Sequence, residues 1–214
     1  MLWRSPARPG RSSRAPASFI SPCLPTVANQ APTGPAWVHE IKHDGYRLQI
    51  HVQDKRVRLF TRNGSDWTER YPWIVEDAAR LPVRRAVMDA ECCCAAADGI
   101  TDFNSLHSRL NDHHAFAYAF DLLMVEDADI RPLPLSERRK QLEKLLRKAK
   151  PGIRLSEHIA EDGPLVFSHA CRLGLEGIVS KRIDTPYRSG RAKCWIKTKN
   201  KNAAAYMRVA DGTF

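Results

Sequence analysis

The chain contains no Cys-x-x-Cys pair, no acidic residue before Glu40, and no apolar run near the roughly 20 residues that a membrane-spanning helix requires. The first absence excludes a zinc ribbon and a thioredoxin-type redox motif, although six cysteines are present: Cys23, Cys92, Cys93, Cys94, Cys171 and Cys194. The triplet at 92–94 lies in an apolar run that reads as a strand, so reduced and buried thiols are expected there. The N-terminus lacks the long apolar stretch of a secretion signal, and no segment repeats. Residues 1–18 are rich in Pro, Ser and Arg and cannot bury a core, so they read as a basic, extended or unfolded arm.

What is present is positive charge. Lysine and arginine number 34 against 24 acidic residues, for a formal charge of +10 and a pI near 9.6. Such a balance favours a polyanionic partner, because each cation set on a phosphate releases counterions. A hydrophobic content of 43% and a charged content of 27% are ordinary for a globular protein. At 214 residues the chain suits one generous domain. The expected division is an arm at 1–18, a domain at 19–199 and a short tail at 200–214.

Periodicity predicts an α+β fold with antiparallel sheets and flanking helices. From Phe19 to Trp37 the prolines suggest an extended lead-in. A meander follows, with strands near Val38–Ile41, Tyr46–Val52 and Val57–Thr61 and a turn at Asp54-Lys55. Pro72 suits the first turn of a helix reaching Arg80. Further strands are expected at Ala86–Ala95, with a turn at Asp98-Gly99, and at Phe116–Val125, Gly177–Arg182 and Cys194–Lys199. Phe103, Leu106 and Leu110 follow helical spacing behind Asp102, a suitable cap. Ser136 is expected to cap a charged helix to Lys148, and Gly174 to end one that begins at Pro164.

The stretch from Trp37 to Gly64 carries the chemistry. It reads Trp-Val-His-Glu-Ile-Lys-His-Asp-Gly-Tyr-Arg and ends Leu-Phe-Thr-Arg-Asn-Gly. Lys42, between two strands, is a candidate nucleophile, but only a neutral amine has the lone pair to attack. Free lysine titrates near 10.4, so about one amine in a thousand is neutral at pH 7. Burial and nearby cations lower that value, and Arg47, Lys197 and Lys199 are candidate neighbours. His39-Glu40-Ile41-Lys42-His43 also fits the zinc-protease pattern His-Glu-x-x-His, which works only on a helix. Strand alternation starts directly afterwards, and on a strand the two histidines are roughly 13 Å apart, too far to share one zinc.

Five later stretches join the lysine motif: Arg62-Asn63-Gly64-Ser65-Asp66-Trp67-Thr68, Asp89-Ala90-Glu91, Tyr118–Leu123, Glu176–Arg182 and Trp195–Lys199. In this order they resemble the motifs of the covalent nucleotidyltransferases, most closely the ligase domain of the bacterial end-joining ATP-dependent DNA ligases, over about Ser21 to Lys199. The resemblance implies the ATP-grasp-like adenylation fold of DNA ligases. It implies that Lys42 attacks the α-phosphorus of ATP to give lysyl-AMP, which is then passed to a DNA 5′-phosphate. Glu40, Arg47, Arg62, Glu91, Phe120, Lys197 and Lys199 then bind nucleotide, with Phe120 stacking on adenine and Glu40 beside its edge. Glu91 and Glu176 hold Mg2+ or Mn2+. Lys181 and Arg182 extend the phosphate-binding surface. The partner implied is nicked or broken double-stranded DNA, with other end-joining proteins or a separate OB or polymerase domain, in the bacterial cytoplasm at the nucleoid and not at a membrane. The arm at 1–18 is then either a contact to DNA backbone or an inert tail.

Two departures qualify this. Ala90 stands where the family has glycine. The fifteen residues after Lys199 cannot build the five-stranded OB barrel that follows in family ligases, so no C-terminal OB-fold is expected, with slow self-adenylylation and poor sealing. Within the superfamily an RNA ligase or capping enzyme is the weaker option, since the Arg62–Thr68 and Glu176–Arg182 stretches favour the DNA end-joining group. The rival outside enzymes is a non-catalytic DNA-binding or repair-partner module, against which stands retention of every charged residue the adenylation chemistry needs.

Overall fold

Two sheets lie with one face each toward a shared cleft. In the computed structural model, which describes residues 19–96, 99–109, 111–203 and 206–207, the first sheet contains β1 (Cys23–Val27), β2 (Trp37–Ile41), β9 (His158–Ile159), β10 (Gly177–Arg182) and β11 (Gly190–Lys199). The second contains β3 (Tyr46–Gln53), β4 (Arg56–Thr61), β5 (Arg85–Cys93), β6 (Phe116–Val125), β7 (Ala128–Asp129) and β8 (Ile153–Leu155). Strand order is β1-β11-β10-β2-β9 in the first and β4-β3-β5-β6-β7 in the second, with β8 alongside β6. Pairing is antiparallel except for β1 with β11 and β8 with β6. The arm at 1–18, Asp98 of the expected turn, Leu110, and 204–205 and 208–214 of the tail lie outside the described residues.

Helices cover the outer faces. Residues of α1 (Pro72–Ala79) and α3 (Leu135–Leu146) join Leu48, Ile50, Met88, Ala119 and Leu122 in the main core behind the second sheet. Val166 and Ala170 of α4 (Gly163–Arg172) pack on Ile178 behind the first. A short helix, α2 (Phe103–His107), follows β5 in the chain. Between the sheets, Ile20, Val87, Phe120, Leu123, Tyr187 and Trp195 form a smaller core. The α+β architecture with antiparallel sheets and flanking helices is thus the one that periodicity predicts.

The expected meander is corrected at its first connection. β2 pairs with β10 and β9, whereas β3 pairs with β4 and β5, so the chain changes sheets between Ile41 and Tyr46. Gly45 allows the crossing, because a Cβ there would run into the Cys92 carbonyl oxygen. The crossover therefore sets Lys42 at the junction of both sheets.

Other expectations fare unevenly. Asp102 caps α2, accepting from the Asn104 and Ser105 amides. Gly174 follows α4 in the left-handed region at φ +72°. Asp54 and Lys55 take φ 47° and 66°, the double left-handed turn that a tight hairpin requires. Ser136 does not cap α3: Pro134 holds the cap position, and the Leu135 and Ser136 amides donate to the Thr185 and Ile183 carbonyls. A neighbouring loop thus satisfies first-turn donors in place of a serine side chain. β11 begins at Gly190 rather than Cys194. All six cysteines are free; Cys23, Cys92, Cys93 and Cys94 are buried, while Cys171 and Cys194 are partly exposed.

Candidate active site

The cleft between the sheets has a volume of about 650 Å³. Strand pairing explains its lining. Glu40, Val179 and Lys197 are aligned across β2, β10 and β11, and side chains alternate along each strand. The same face therefore carries Lys42, Lys181, Trp195 and Lys199. From the other sheet, Arg47 pairs with Glu91 and Glu91 with Tyr118. Ala119 opposes Ala90 and Asp121 opposes Asp89, so Phe120 is the extra residue of a β-bulge, the device that re-aims a side chain. Of the nine residues singled out from sequence, Glu40, Lys42, Arg47, Arg62, Glu91, Phe120 and Lys197 line the cleft. Glu176 joins it through Lys42, and Lys199 through Glu176.

Lys42 is fixed at backbone and side chain. Its amide donates to the Gly177 carbonyl at 2.9 Å, and its Nζ donates to Glu176 Oε2 at 2.5 Å. Lys199 Nζ lies 3.8 Å from the other oxygen of Glu176. Gly177 makes this convergence sterically allowed: its φ is +135°, and a Cβ would strike the Thr198 carbonyl oxygen of β11. The Asn200 amide, donating to the Glu176 carbonyl at 2.9 Å, holds the segment from the far side.

Positive charge gathers beside this pair. Burial pushes the Lys197 ammonium below the usual lysine range, and the charges of Lys199, Lys42 and Arg62 push the same way against Glu176. Burial pushes the Glu91 carboxyl up to about 7; Lys42 and Arg47 oppose the shift, and Glu176 and Asp89 add to it. Among the described residues no three His, Cys, Asp or Glu side chains gather as a metal cage. Two neighbouring carboxylates with oxygen donors only, the Glu91 carboxyl raised by burial, fit Mg2+ or Mn2+, which take one or two carboxylates plus phosphate and water.

Arg47 is held as a fork. Its Nε and Nη2 donate to the two oxygens of Asp89, each at 2.6 Å, and Nη2 also reaches the Cys23 carbonyl at 3.3 Å. The Tyr187 hydroxyl donates to Asp89 Oδ2 at 2.6 Å and accepts from the Cys23 amide at 2.8 Å. The Arg47 guanidinium lies 4.6 Å from the Phe120 ring centre.

At the other end of the cleft, Glu40 is buried and accepts from Lys181 Nζ at 2.8 Å on both oxygens. Lys181 also lies 4.2 Å from the Phe120 ring centre and 4.3 Å from that of Trp195. This corrects one expectation: Lys181 is buried in the cleft floor rather than on a phosphate-binding surface, because Glu40 and the two rings enclose it. Arg182 is occupied by Asp184 at 2.5 Å. Ala90 sits fully buried within β5, where extended backbone accepts a methyl group in place of glycine.

The zinc alternative fails on direction. His39 Nδ1 meets Ser180 Oγ at 2.8 Å, while His43 stacks on Tyr118 with ring centres 3.9 Å apart. Asp89, Tyr187, Ser156 and Arg139 also shape the site, and sequence reasoning gives none of them a role. Asp89 at least belongs to the Asp89-Ala90-Glu91 motif; the other three come from connecting segments or a helix whose approach to the cleft no local pattern encodes.

Comparison with known proteins agrees with this geometry. Residues 24–199 match the family model described as an ATP dependent DNA ligase domain. The chain is 40% identical over 200 residues to the multifunctional non-homologous end joining protein LigD of Pseudomonas aeruginosa, covering 91% of this chain and 24% of that protein. The corresponding DNA repair protein LigD of Mycobacterium tuberculosis is 33% identical over 168 residues, covering 78% and 22%. The chain thus spans about a quarter of the length of these relatives. Mycobacterial DNA ligase D complexed with ATP and MES superposes with a TM-score of 0.75 at 31% identity, covering 84% of this chain and 60% of that one. Chlorella virus DNA ligase-adenylate, at 16% identity and a TM-score of 0.58, shares the fold.

Proposed function

The chain belongs to the ATP-dependent DNA ligase domain family, and from that premise we propose that Lys42 takes AMP from ATP and passes it to the 5′-phosphate at a DNA break. The observation that carries the reading is the position of Lys42, at the crossover between the sheets and 2.5 Å from Glu176. In the first step the Lys42 Nζ–P bond forms and the bond from the α-phosphorus to pyrophosphate breaks. Nζ must give up a proton to do this, and Glu176 Oε2 is in place to receive it. Lys197, Lys199 and Arg62 face the charge that grows on the phosphoryl oxygens.

Glu91 and Glu176 are the residues that would hold Mg2+ or Mn2+. Such an ion, when bound, neutralises phosphate charge and favours departure of pyrophosphate. Arg47, fixed by Asp89, offers its remaining Nη1 hydrogens to the nucleotide in a set direction. Phe120 and Trp195 present the aromatic wall suited to a base, and Glu40 the polar group at its edge. In the second step an oxygen of the DNA 5′-phosphate attacks the adduct, and the P–N bond to Lys42 breaks. The 3′-hydroxyl then displaces AMP and closes the strand.

The partners we propose are nicked or broken double-stranded DNA and further end-joining domains, because the LigD relatives are multifunctional and much longer than this chain. The charge of +10 supports a nucleic-acid partner. Among the described residues no helix is long and apolar enough to cross a membrane. The test is incubation with ATP, Mg2+ and a nicked duplex labelled at the 5′-phosphate. AMP-capped strands are expected, with poor sealing; DNA binding with neither product would mark a non-catalytic module.

A further inference from the structure

We propose that Arg139 of α3 is a positioning residue that makes the base end of the cleft select a purine bearing an amino group at C6 over one bearing a carbonyl. The inference rests on the nucleotidyl-transfer reading and extends it to the basis of nucleotide choice.

The two ends of the cleft differ in chemistry. Lys42, Arg62, Glu91 and Lys197 make one end ionic, suited to phosphates and a cation. Phe120, Trp195, Glu40, Lys181 and Ser156 make the other aromatic, with one carboxylate. A flat base belongs at the aromatic end, so the state of Glu40 decides which base edge is accepted.

Every neighbour of that carboxylate is a donor. Lys181 Nζ donates to both oxygens, and Ser156 Oγ donates to Oε2 at 3.2 Å. Arg139 approaches Oε1 as a second cation without hydrogen-bonding to it. Its Nη1 lies 3.5 Å from Oε1 and makes no hydrogen bond among the described residues, although it is buried. Its Nη2 donates to the Ser156 carbonyl at 2.5 Å, and its Nε to Glu143 at 3.1 Å. Arg139 thus performs two tasks. It places a second cation against Oε1, and it anchors the segment whose hydroxyl holds Oε2.

A carboxylate has about four acceptor sites, and the three donor contacts above leave capacity on Oε1. A C6 amino group on the base supplies the missing donor. A C6 carbonyl instead sets oxygen against oxygen in a buried place, which a site built for hydrogen bonding rejects. Selection requires that Glu40 cannot turn away, and Arg139 with Ser156 is what prevents it. Lys181 alone does not fix the carboxylate plane, because one ammonium serves both oxygens and also faces two rings.

The experiment compares initial rates of covalent nucleotide transfer to the protein from ATP and from ITP, which differ at C6. The intact chain is expected to prefer ATP by about 100-fold, the scale of leaving one buried polar group unpaired. Arg139→Met should bring the ratio to within about tenfold, Arg139→Lys should retain part of it, and Ser156→Ala should lower it in the same direction. Circular dichroism establishes which variants fold, and Ser156→Ala decides the matter if Arg139→Met does not. Equal slowing of both nucleotides, with the ratio unchanged, would overturn the inference while leaving nucleotidyl transfer standing. An intact chain that uses ITP as readily as ATP would also overturn it. An intact chain that forms no adduct with either nucleotide would overturn the functional reading, and this inference with it.

Discussion

Lys42 Nζ and Glu176 Oε2 lie 2.5 Å apart because a strand register puts them there: Ile41 opposes Ile178, and the Lys42 amide reaches the Gly177 carbonyl. In the proposed reaction this pair joins the attacking atom to the carboxylate that would receive its proton. Glu176→Ala is therefore expected to slow AMP transfer to the protein by roughly 100-fold or more, the scale of losing one preorganised electrostatic partner. Single-turnover adduct formation followed by mass spectrometry reads this directly. Near-parental rates would place Glu176 outside the reaction.

Gly177 is the steric condition for that pair. With φ at +135° and the Thr198 carbonyl against the position of any Cβ, Gly177→Ala must strain the backbone or part β10 from β11. The expected cost is about 1–3 kcal/mol in chemical denaturation. Adduct formation should fall as well, since Glu176 moves with the strand. A variant as stable and as active as the parent would show that the close approach of the strands is dispensable.

Arg138 and Asp121 form a fully buried pair outside the cleft wall, joined by two hydrogen bonds of 2.8 Å. Arg138 also donates to the Leu133 and Thr185 carbonyls. Arg138→Ala leaves a carboxylate buried without its partner and is expected to cost roughly 3–5 kcal/mol. Replacing both residues by apolar groups of similar size should cost less than the single change. Equal losses for single and double variants would contradict the assignment of the penalty to an uncompensated charge.

His43 predicts acid sensitivity. Burial, with the Lys42 charge adding to it, pushes its pKa down to about 4 from an ordinary 6.5. Between those values the unfolded chain binds the proton and the folded chain does not, so stability falls as pH drops from about 6.5 to about 4. The contribution is on the order of 3 kcal/mol. His39 and His158 shift in the same direction, so comparison with the parent isolates the effect. His43→Phe keeps an aromatic ring against Tyr118 and should flatten the denaturation midpoint over that range. An unchanged pH slope would show that His43 takes up its proton freely in the fold.

Strong local signals are legible in the amino-acid sequence. Alternation marks β3, β4 and β5, a continuous apolar run marks β6, and Asp102 and Gly174 mark helix ends through hydrogen-bond and φ requirements that one residue expresses alone. The sheet change at Lys42 is not legible, because β2 and β3 have the same period whether they pair with each other or with separate partners. β7, β8 and β9 span two or three residues, too few for a period to show. The site divides the same way. The charged residues Lys42, Glu91 and Glu176 lie in distinctive motifs, whereas Tyr187 and Arg139 reach Asp89 and Glu40 through tertiary packing. Phe120 reads as an ordinary core residue in an apolar strand, and only the bulge on β6 turns it toward the cleft.

Whether Lys42 carries AMP is decided by intact mass after incubation with ATP and Mg2+, with Lys42→Ala alongside. A gain of one AMP is expected in the parent chain and not in the variant, with the adduct mapping to the peptide that contains Lys42. A parent chain of unchanged mass, or an adduct that persists in Lys42→Ala, would contradict the assignment of Lys42 as the nucleophile.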